Sequence, residues 1–168
     1  GFFISLHERN TRRIMNEKRR LLGMTLDQLK GVAFEAGLPG YAAKQMADWL
    51  YKKKVTSIAA MTNIASAKRA LLEKNFEVGA VPPSDLMKSV DGTIKYLYPA
   101  GPGNFVESVY IPTEDRATLC VSSQVGCKMN CLFCMTGKQG FTKNLSANEI
   151  LNQIQSLPET EELTNIVF

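Results

Sequence analysis

The sequence of residues 117–134 is ATLCVSSQVGCKMNCLFC, an apolar segment followed by a loop that contains three of the four cysteines. The apolar segment has the length and composition of a buried strand. After the loop, Ser146 and Glu149 form the capping-box pattern of a helix start, and Pro158 ends that helix. A second apolar run begins at Thr164. The order strand, loop, helix, strand predicts one unit of a parallel α/β sheet or barrel.

The rest of the chain has two regions of different periodicity. Apolar residues at helical spacing predict a small helical domain over residues 15–80. Short alternating segments around Asp91-Gly92 predict an antiparallel β meander over residues 85–112. The predicted fold class is therefore α/β, with the helical domain and the meander followed by the first part of a β/α barrel at 113–168. One such unit cannot close a barrel, so we expect the barrel to be incomplete in this chain.

The ends and the apolar content of the chain bear on processing and localisation. No apolar run approaches the roughly 20 residues of a membrane span. The first residue is Gly1, and the segment before Met15 lacks the order of a secretory signal. We expect residues 1–14 to be a non-native or disordered leader. The sequence therefore predicts a cytoplasmic protein without a membrane partner.

Charge is unevenly distributed along the chain. Residues 1–80 contain 14 Lys/Arg and 7 Asp/Glu, whereas residues 81–168 contain 6 and 9. A basic region favours a polyanion partner, and an ordinary solvated helical surface explains it equally well. The helices on either side of Leu38-Pro39-Gly40 are similar to a helix-hairpin-helix, although a plain helical bundle fits the same pattern. The predicted phosphate contacts are Lys52, Lys53, Lys54, Lys68 and Arg69.

Cys127, Cys131 and Cys134 have the spacing C-x3-C-x2-C. Four cysteines within fifteen positions indicate metal or redox chemistry rather than a disulfide scaffold. A ferredoxin-type carrier uses four protein ligands, so three thiolates leave one iron of a [4Fe–4S] cluster open. Structural zinc is the alternative, but it requires four ligands. Cys120 lies on the predicted strand, and the only histidine, His7, is far away in the sequence.

This spacing resembles the signature of the radical S-adenosylmethionine superfamily. In that superfamily the open iron binds the amino and carboxylate groups of S-adenosylmethionine, and reductive cleavage yields a 5′-deoxyadenosyl radical. The resemblance implies cluster and cofactor binding by Cys127, Cys131 and Cys134, with the Phe133 ring beside the cluster. The barrel predicted at 113–168 would then be a radical-SAM barrel, with the cysteine loop at its active-site face.

The surrounding residues indicate a narrower family. Residues 116–127 (RATLCVSSQVGC), 138–141 (KQGF) and 105–112 (FVESVYIP) resemble the bacterial ribosomal RNA adenine-C2 methyltransferases. Members of that family methylate 23S rRNA and some tRNAs. The similarity extends over about residues 15–168. It implies a radical-SAM methyltransferase with rRNA and tRNA as partners, flavodoxin or ferredoxin as electron donor, and a monomeric state.

The resemblance also implies roles for Glu107 and Cys120. The family carries the transferred methyl group on one of its own cysteines, and the covalent adduct with adenine must lose the C2 proton and the protein sulfur. Glu107 matches the proposed base, and Cys120 matches the thiol that forms a transient disulfide. From the residues alone, Glu107 is expected to form an ion pair with Arg116 or Lys95. Cys120 by itself has the pattern of a small buried hydrophobic residue.

No cysteine follows Cys134, so these 168 residues do not include a methyl-carrying cysteine. We therefore expect this chain alone to be inactive. Two other functions fit the sequence. One is the sister methyltransferase, which modifies C8 of the same ribosomal adenine. The other is a non-catalytic RNA-binding module stabilised by zinc.

Overall fold

The computed structural model describes residues 18–129, 131–132 and 134–168. The predicted leader at 1–14 and the predicted cofactor-side residue Phe133 lie outside the described residues. The described chain divides into two compact units, made of residues 18–21 with 26–78 and of Leu22–Thr25 with Gly79–Phe168. No helix in the described part of the chain is long and apolar enough to cross a membrane.

Helices dominate the first unit. Its helical segments are α1 (Leu26–Glu35), α2 (Ala42–Ala47), a π-helical turn (Asp48–Lys52), a 3-10 turn (Ile58–Ala60) and α3 (Ser66–Asn75). The predicted helices on both sides of Leu38-Pro39-Gly40 and the helix predicted from Ser66 are confirmed. Two short strands, β1 (Arg19–Arg20) and β2 (Phe76–Glu77), pair in parallel. Two-residue strands have no alternation pattern, so the sequence did not indicate them.

Apolar side chains from all three helices form the core of the first unit. The fully buried members include Leu29, Met46, Leu50, Met61 and Leu72. Not every apolar side chain of these helices is buried, since Phe34 is 86% exposed and Leu71 is 39% exposed. The buried stripe of α1 runs through Val32 and Ala33, and a helix turns about 100° per residue, so it points Phe34 away from that stripe.

The second unit is built on a five-stranded sheet in the order β3-β4-β5-β6-β9. The strands are β3 (Asp85–Lys88), β4 (Ile94–Pro99), β5 (Phe105–Pro112), β6 (Ala117–Cys120) and, after the cysteine loop, β9 (Asn165–Val167). Between β6 and β9 lie β7 (Gln124–Val125), α4 (Met135–Lys138), β8 (Lys143–Asn144) and α5 (Ala147–Gln155). The first four sheet strands are antiparallel neighbours, whereas β6 and β9 are parallel. The predicted meander and the predicted strand-loop-helix-strand unit are both confirmed.

Alternation along the strands gives the sheet one covered face and one open face. The covered face packs Tyr96, Tyr98, Val106, Tyr110 and Leu119 into the core with Leu157. Tyr96 Oη donates to Glu159 Oε2 at 2.7 Å, and Tyr110 Oη donates to Glu162 Oε2 at 2.8 Å. These bonds attach the segment after α5 to the covered face. The opposite face of the sheet has no such covering segment among the described residues.

The hairpin predicted at Asp91-Gly92 is present, but its turn is longer than two residues. The last register pair is Lys88 with Ile94, so five residues connect the strands. Asp91 Oδ1 accepts a hydrogen bond from Thr93 N at 3.0 Å. Gly92 has φ +86°, which favours glycine, and this explains the sequence signal.

α5 begins and ends as predicted, but its buried side chains are polar. The Ser146–Glu149 capping box is confirmed, and Pro158 lies beyond the helix end. Its buried positions are the polar residues Asn148, Asn152 and Gln153. Its apolar residues Ile150, Leu151 and Ile154 are half-buried, and Ile150 and Ile154 pack against the core. The amides are buried because each bonds to backbone groups, which satisfies their polar atoms.

The buried amides of α5 connect distant segments of the second unit. Asn148 Nδ2 donates to the carbonyl oxygens of Leu22 and Gly79, both at 3.1 Å. Gln153 receives a hydrogen bond from Ser122 N and donates one to Ser122 O, each at 2.9 Å. Because Ser122 is the second residue after β6, Gln153 fixes the backbone where the cysteine loop begins.

Candidate active site and cysteine loop

The open face of the sheet displays the two predicted catalytic residues. Register pairs place five side chains in one row across the strands: Met87, Lys95, Val109, Cys120 and Val167. The adjacent row contains Asp85, Leu97 and Glu107. Directly paired residues point to the same side of a sheet, so the open face carries both rows.

Glu107 forms an ion pair on this face. Its carboxylate Oε1 lies 3.1 Å from Lys95 Nζ, and the two side chains are 55% and 43% exposed. Of the two partners predicted for Glu107, the structure selects Lys95. The pair lines a shallow cavity of about 160 Å³, together with Asp85 and Leu97. The Glu107 carbonyl oxygen accepts a bond from Ser122 Oγ at 2.7 Å, which connects β5 to the start of the cysteine loop.

Cys120 lies diagonally across from Glu107 on the open face. Cys120 pairs with Val109, two residues from Glu107 on β5. Diagonal neighbours of this kind are about 7–8 Å apart. The thiol is free and half-buried rather than enclosed in the core. The structure therefore brings the predicted base and the predicted thiol onto one surface, and the transient disulfide stays a prediction.

The cysteine loop begins at the carboxyl end of β6 and is closed at its base. β7 and β8 pair antiparallel, and Gln124 Nε2 donates to Asn144 Oδ1 at 3.0 Å. A Cβ atom on Gly126 would lie 1.6 Å from Gly140 O, and Gly126 has φ +72°. Only glycine fits there. The sequence carried a signal for this contact, a glycine directly before Cys127, but its partner segment could not be identified.

An ion pair attaches the loop base to the start of α5. Lys143 Nζ lies 2.6 Å from Glu149 Oε1. Partial burial raises the pKa of the Glu149 carboxyl, but hydrogen bonds from Lys143 and Ser146 outweigh burial, so that pKa lies below its usual range. Glu149 is therefore ionised at neutral pH, and its other oxygen completes the capping box with Ser146.

Backbone N–H groups lie beside two of the loop thiols. Backbone N–H groups of Gly137 and Thr136 hold the pKa of the Cys134 thiol below its usual value. Cys127 Sγ accepts a bond from Met129 N at 3.5 Å. N–H donors to a cysteine sulfur are also a feature of iron–sulfur clusters, where they tune the reduction potential. Within residues 18–129, 131–132 and 134–168, no three His, Cys, Asp or Glu side chains are close enough to hold a metal ion.

The predicted phosphate contacts lie in the first unit, where the structure gives three of them local partners. Lys52 Nζ lies 3.0 Å from Asp48 Oδ1. Lys68 Nζ donates to Ala36 O at 3.0 Å, and Arg69 donates to Ala59 O. These side chains stabilise turns of the unit as well as carrying charge.

Lys53 lies over an aromatic ring. Its Nζ atom is 3.5 Å from the centroid of Trp49, whose indole N–H donates to Asn63 Oδ1. The described part of the first unit, residues 18–21 and 26–78, contains eleven Lys/Arg and five Asp/Glu. The positive excess therefore belongs to the folded unit, and Lys54 continues the same basic run.

Comparison with known proteins shows what the chain is similar to. Residues 19–78 match the family model described as the ribosomal RNA large subunit methyltransferase N-terminal domain. A protein of Parabacteroides distasonis named probable dual-specificity RNA methyltransferase RlmN is 80% identical over 92% of this chain. Residues 19–78 therefore have the sequence of that N-terminal domain, and the chain as a whole is similar to RlmN proteins. The RlmN relative of Geotalea uraniireducens is 43% identical over 90% of the chain.

The similarity covers both units but only part of each relative. The chain spans 45% of the length of the Parabacteroides RlmN and 44% of that from Geotalea. The crystal structure of a radical SAM methyltransferase from Sphaerobacter thermophilus superposes with a TM-score of 0.79 at 34% identity. That alignment covers 88% of this chain and 45% of the other. The fold described above therefore corresponds to slightly less than half of a radical SAM methyltransferase.

Proposed function

We propose that the protein carrying this sequence is a radical S-adenosylmethionine methyltransferase that methylates C2 of an adenine in 23S rRNA and in some tRNAs. The observation that carries the proposal is the position of the cysteine loop, which leaves the carboxyl end of β6 beside the open face with Glu107 and Cys120. The names of the RlmN relatives support RNA as substrate. No observation favours the C8-modifying enzyme or the zinc-stabilised module.

Cys127, Cys131 and Cys134 would hold the [4Fe–4S] cluster, because the loop offers three thiols, and backbone N–H groups lie beside Cys127 and Cys134. Bound there, the cluster and S-adenosylmethionine supply the radical and the methyl group. The chain's contribution is to fix the loop at both ends, through Gln153 at its start and the β7–β8 pair at its base. The Phe133 ring beside the cofactor is part of the proposal.

Glu107 and Cys120 would complete the reaction after carbon–carbon bond formation. The Glu107 carboxylate takes the C2 proton of the adduct, and the C–H electron pair stays in the purine. The unpaired electron left by radical addition must pass to a one-electron acceptor, a role for which the oxidised cluster would serve. The Cys120 sulfur then bonds to the sulfur of the methyl-carrying cysteine. The carbon–sulfur bond to the product breaks, and its electron pair remains on the product carbon, which takes a proton.

The first unit would bind the RNA substrate through phosphates, since its charge is complementary to a polyanion. Lys52, Lys53, Lys54, Lys68 and Arg69 are the proposed contacts. We further propose a cytoplasmic monomer that receives electrons from a flavodoxin or a ferredoxin.

The test uses the product of the natural gene that carries this sequence, reconstituted anaerobically with iron and sulfide. We expect close to four irons per chain and 2-methyladenosine in treated 23S rRNA, measured by mass spectrometry. Cys127→Ala should lose both iron and product. Cys120→Ala should keep the iron and lose the product, which separates cluster binding from the later chemistry. A colourless protein with one zinc, or 8-methyladenosine as product, would contradict the proposal.

A further inference from the structure

We propose that Lys95 is a positioning residue that holds the Glu107 carboxylate in place on the open face of the sheet. This inference rests on the proposed function, in which Glu107 takes the C2 proton. Lys95 would touch neither the adenine nor the cofactor, and it would act only through Glu107.

The register of the sheet makes Lys95 and Cys120 neighbours of Glu107 from two different strands. Lys95 on β4 and Cys120 on β6 both pair with Val109 on β5. Glu107 is the next residue of β5 that points to the same face. Its carboxylate is therefore reached by the Lys95 ammonium, at 3.1 Å, from the side opposite the Cys120 strand. All three side chains extend from strands, so their spacing is set by the backbone ladder rather than by a loop.

Stability alone does not account for this ion pair. Both side chains are about half exposed, and exposed pairs contribute about 0–1 kcal/mol to folding. The larger effect of the ion pair is on the direction in which the Glu107 carboxylate points. A glutamate has three rotatable side-chain bonds, and one charge-assisted hydrogen bond selects among its rotamers. Misplacement of a catalytic group by about 1 Å can reduce a rate about 100-fold.

A second carboxylate beside the pair strengthens the case. Asp85 lines the same cavity as Lys95 and Glu107. Without the ammonium, the two carboxylates would share a small cavity, and like charges there favour a different Glu107 rotamer. Lys95 therefore attracts Glu107 and offsets its repulsion from Asp85.

Positioning differs from RNA binding in the kinetic step that it affects. If Lys95 aims Glu107, its loss slows proton removal, so kcat falls while KM for RNA stays unchanged. The adduct that waits for proton removal is a covalent protein–RNA species, which denaturing gel electrophoresis detects without a measurement of turnover. If Lys95 instead contacts a phosphate, its loss raises KM and leaves kcat unchanged.

The experiment compares Lys95→Met and Lys95→Arg with the matched control Lys88→Met, all in the gene product reconstituted with cluster. Lys88 is an exposed lysine of β3 that pairs with Ile94, outside the row that contains Lys95. We expect Lys95→Met to lower kcat about 100-fold, to leave KM within about 2-fold, and to accumulate the protein–RNA adduct. Lys95→Arg should recover most of kcat, and the control should behave like the unsubstituted protein.

Two results would overturn the inference: a rise in KM alone, or full activity of Lys95→Met. If Lys95→Met does not fold, Lys95→Gln replaces it, alone and combined with Glu107→Gln. The inference then requires that Lys95→Gln lowers kcat in the otherwise unsubstituted protein but changes neither kcat nor adduct yield in Glu107→Gln, and additive losses would refute it. If the unsubstituted protein makes no methyladenosine, the proposed function itself has failed, and this inference fails with it.

Discussion

At the scale of single residues, Gly126 fixes the geometry of the cysteine loop. Its missing side chain lets the Gly140 carbonyl oxygen approach to a point 1.6 Å from where a Cβ would be. We predict that Gly126→Ala lowers the free energy of unfolding by two contributions. A left-handed backbone costs about 1–2 kcal/mol for a residue with a Cβ. The overlap with Gly140 adds about 1–3 kcal/mol, because backbone must move.

The matched control for this prediction is Gly103→Ala. Gly103 has φ +70°, nearly the same as Gly126, but nothing lies within 4 Å of an added Cβ. Urea denaturation followed by circular dichroism should therefore show only the conformational cost for Gly103→Ala. Equal losses for the two variants would mean that the contact with Gly140 does not constrain the loop. A selective loss of iron by Gly126→Ala would show that the loop geometry also serves the cluster.

At the scale of secondary structure elements, α5 acts as a polar connector. Asn152 forms a pair of hydrogen bonds with one residue: its Oδ1 accepts from Val81 N at 2.7 Å, and its Nδ2 donates to Val81 O at 2.8 Å. We predict that Asn152→Leu lowers the free energy of unfolding by about 1–3 kcal/mol, because two backbone groups lose their partner. Gln155→Leu, a half-buried position in the last turn of α5, is the control. Comparable unfolding curves for both variants would refute the role of Asn152.

The same elements show what sequence patterns predict and what they miss. The capping box at Ser146 and the glycine turn at Gly92 depend on residues a few positions apart, so local chemistry predicted them. The strands β7 and β8 contain two residues each, too few for alternation to be visible. The buried amides of α5 could not be predicted, because asparagine and glutamine are usually exposed and their backbone partners lie up to 126 positions away in the sequence.

The candidate site likewise has one part that local sequence patterns predict and another that depends on long-range pairing. Cysteine spacing is a local pattern, and it predicted the loop without any knowledge of the fold. Glu107 and Cys120 were identified only through the family resemblance, and their neighbourhood required the register of β5 and β6. Lys95 was one of two possible partners for Glu107, because sequence distance does not tell which cation lies across a strand. Long-range pairing is therefore the information that the structure adds.

At the scale of the whole molecule, the two units carry opposite net charge. The described part of the first unit has eleven Lys/Arg and five Asp/Glu, whereas the second has six and nine. An anionic RNA is attracted to the first and repelled on average by the second. If phosphate contacts lie in the first unit, they set the dependence of RNA affinity on salt, because each neutralised phosphate releases counterions.

We predict that the double variant Lys52→Ser and Lys53→Ser lowers the slope of log affinity against log salt by about 1.4, or about 0.7 per lost contact. The control, Lys88→Ser with Arg116→Ser, removes the same charge from the second unit. If net charge alone determines the salt dependence, both double variants change the slope equally. If Lys52 and Lys53 contact phosphates, only their double variant changes the slope. Fluorescence anisotropy of a labelled rRNA fragment between 50 and 200 mM salt, roughly the range over which phosphate contacts are lost, measures both. Equal slopes for the two variants would place the RNA surface outside the Lys52–Lys53 region, and the basic run would then be an ordinary solvated helix end.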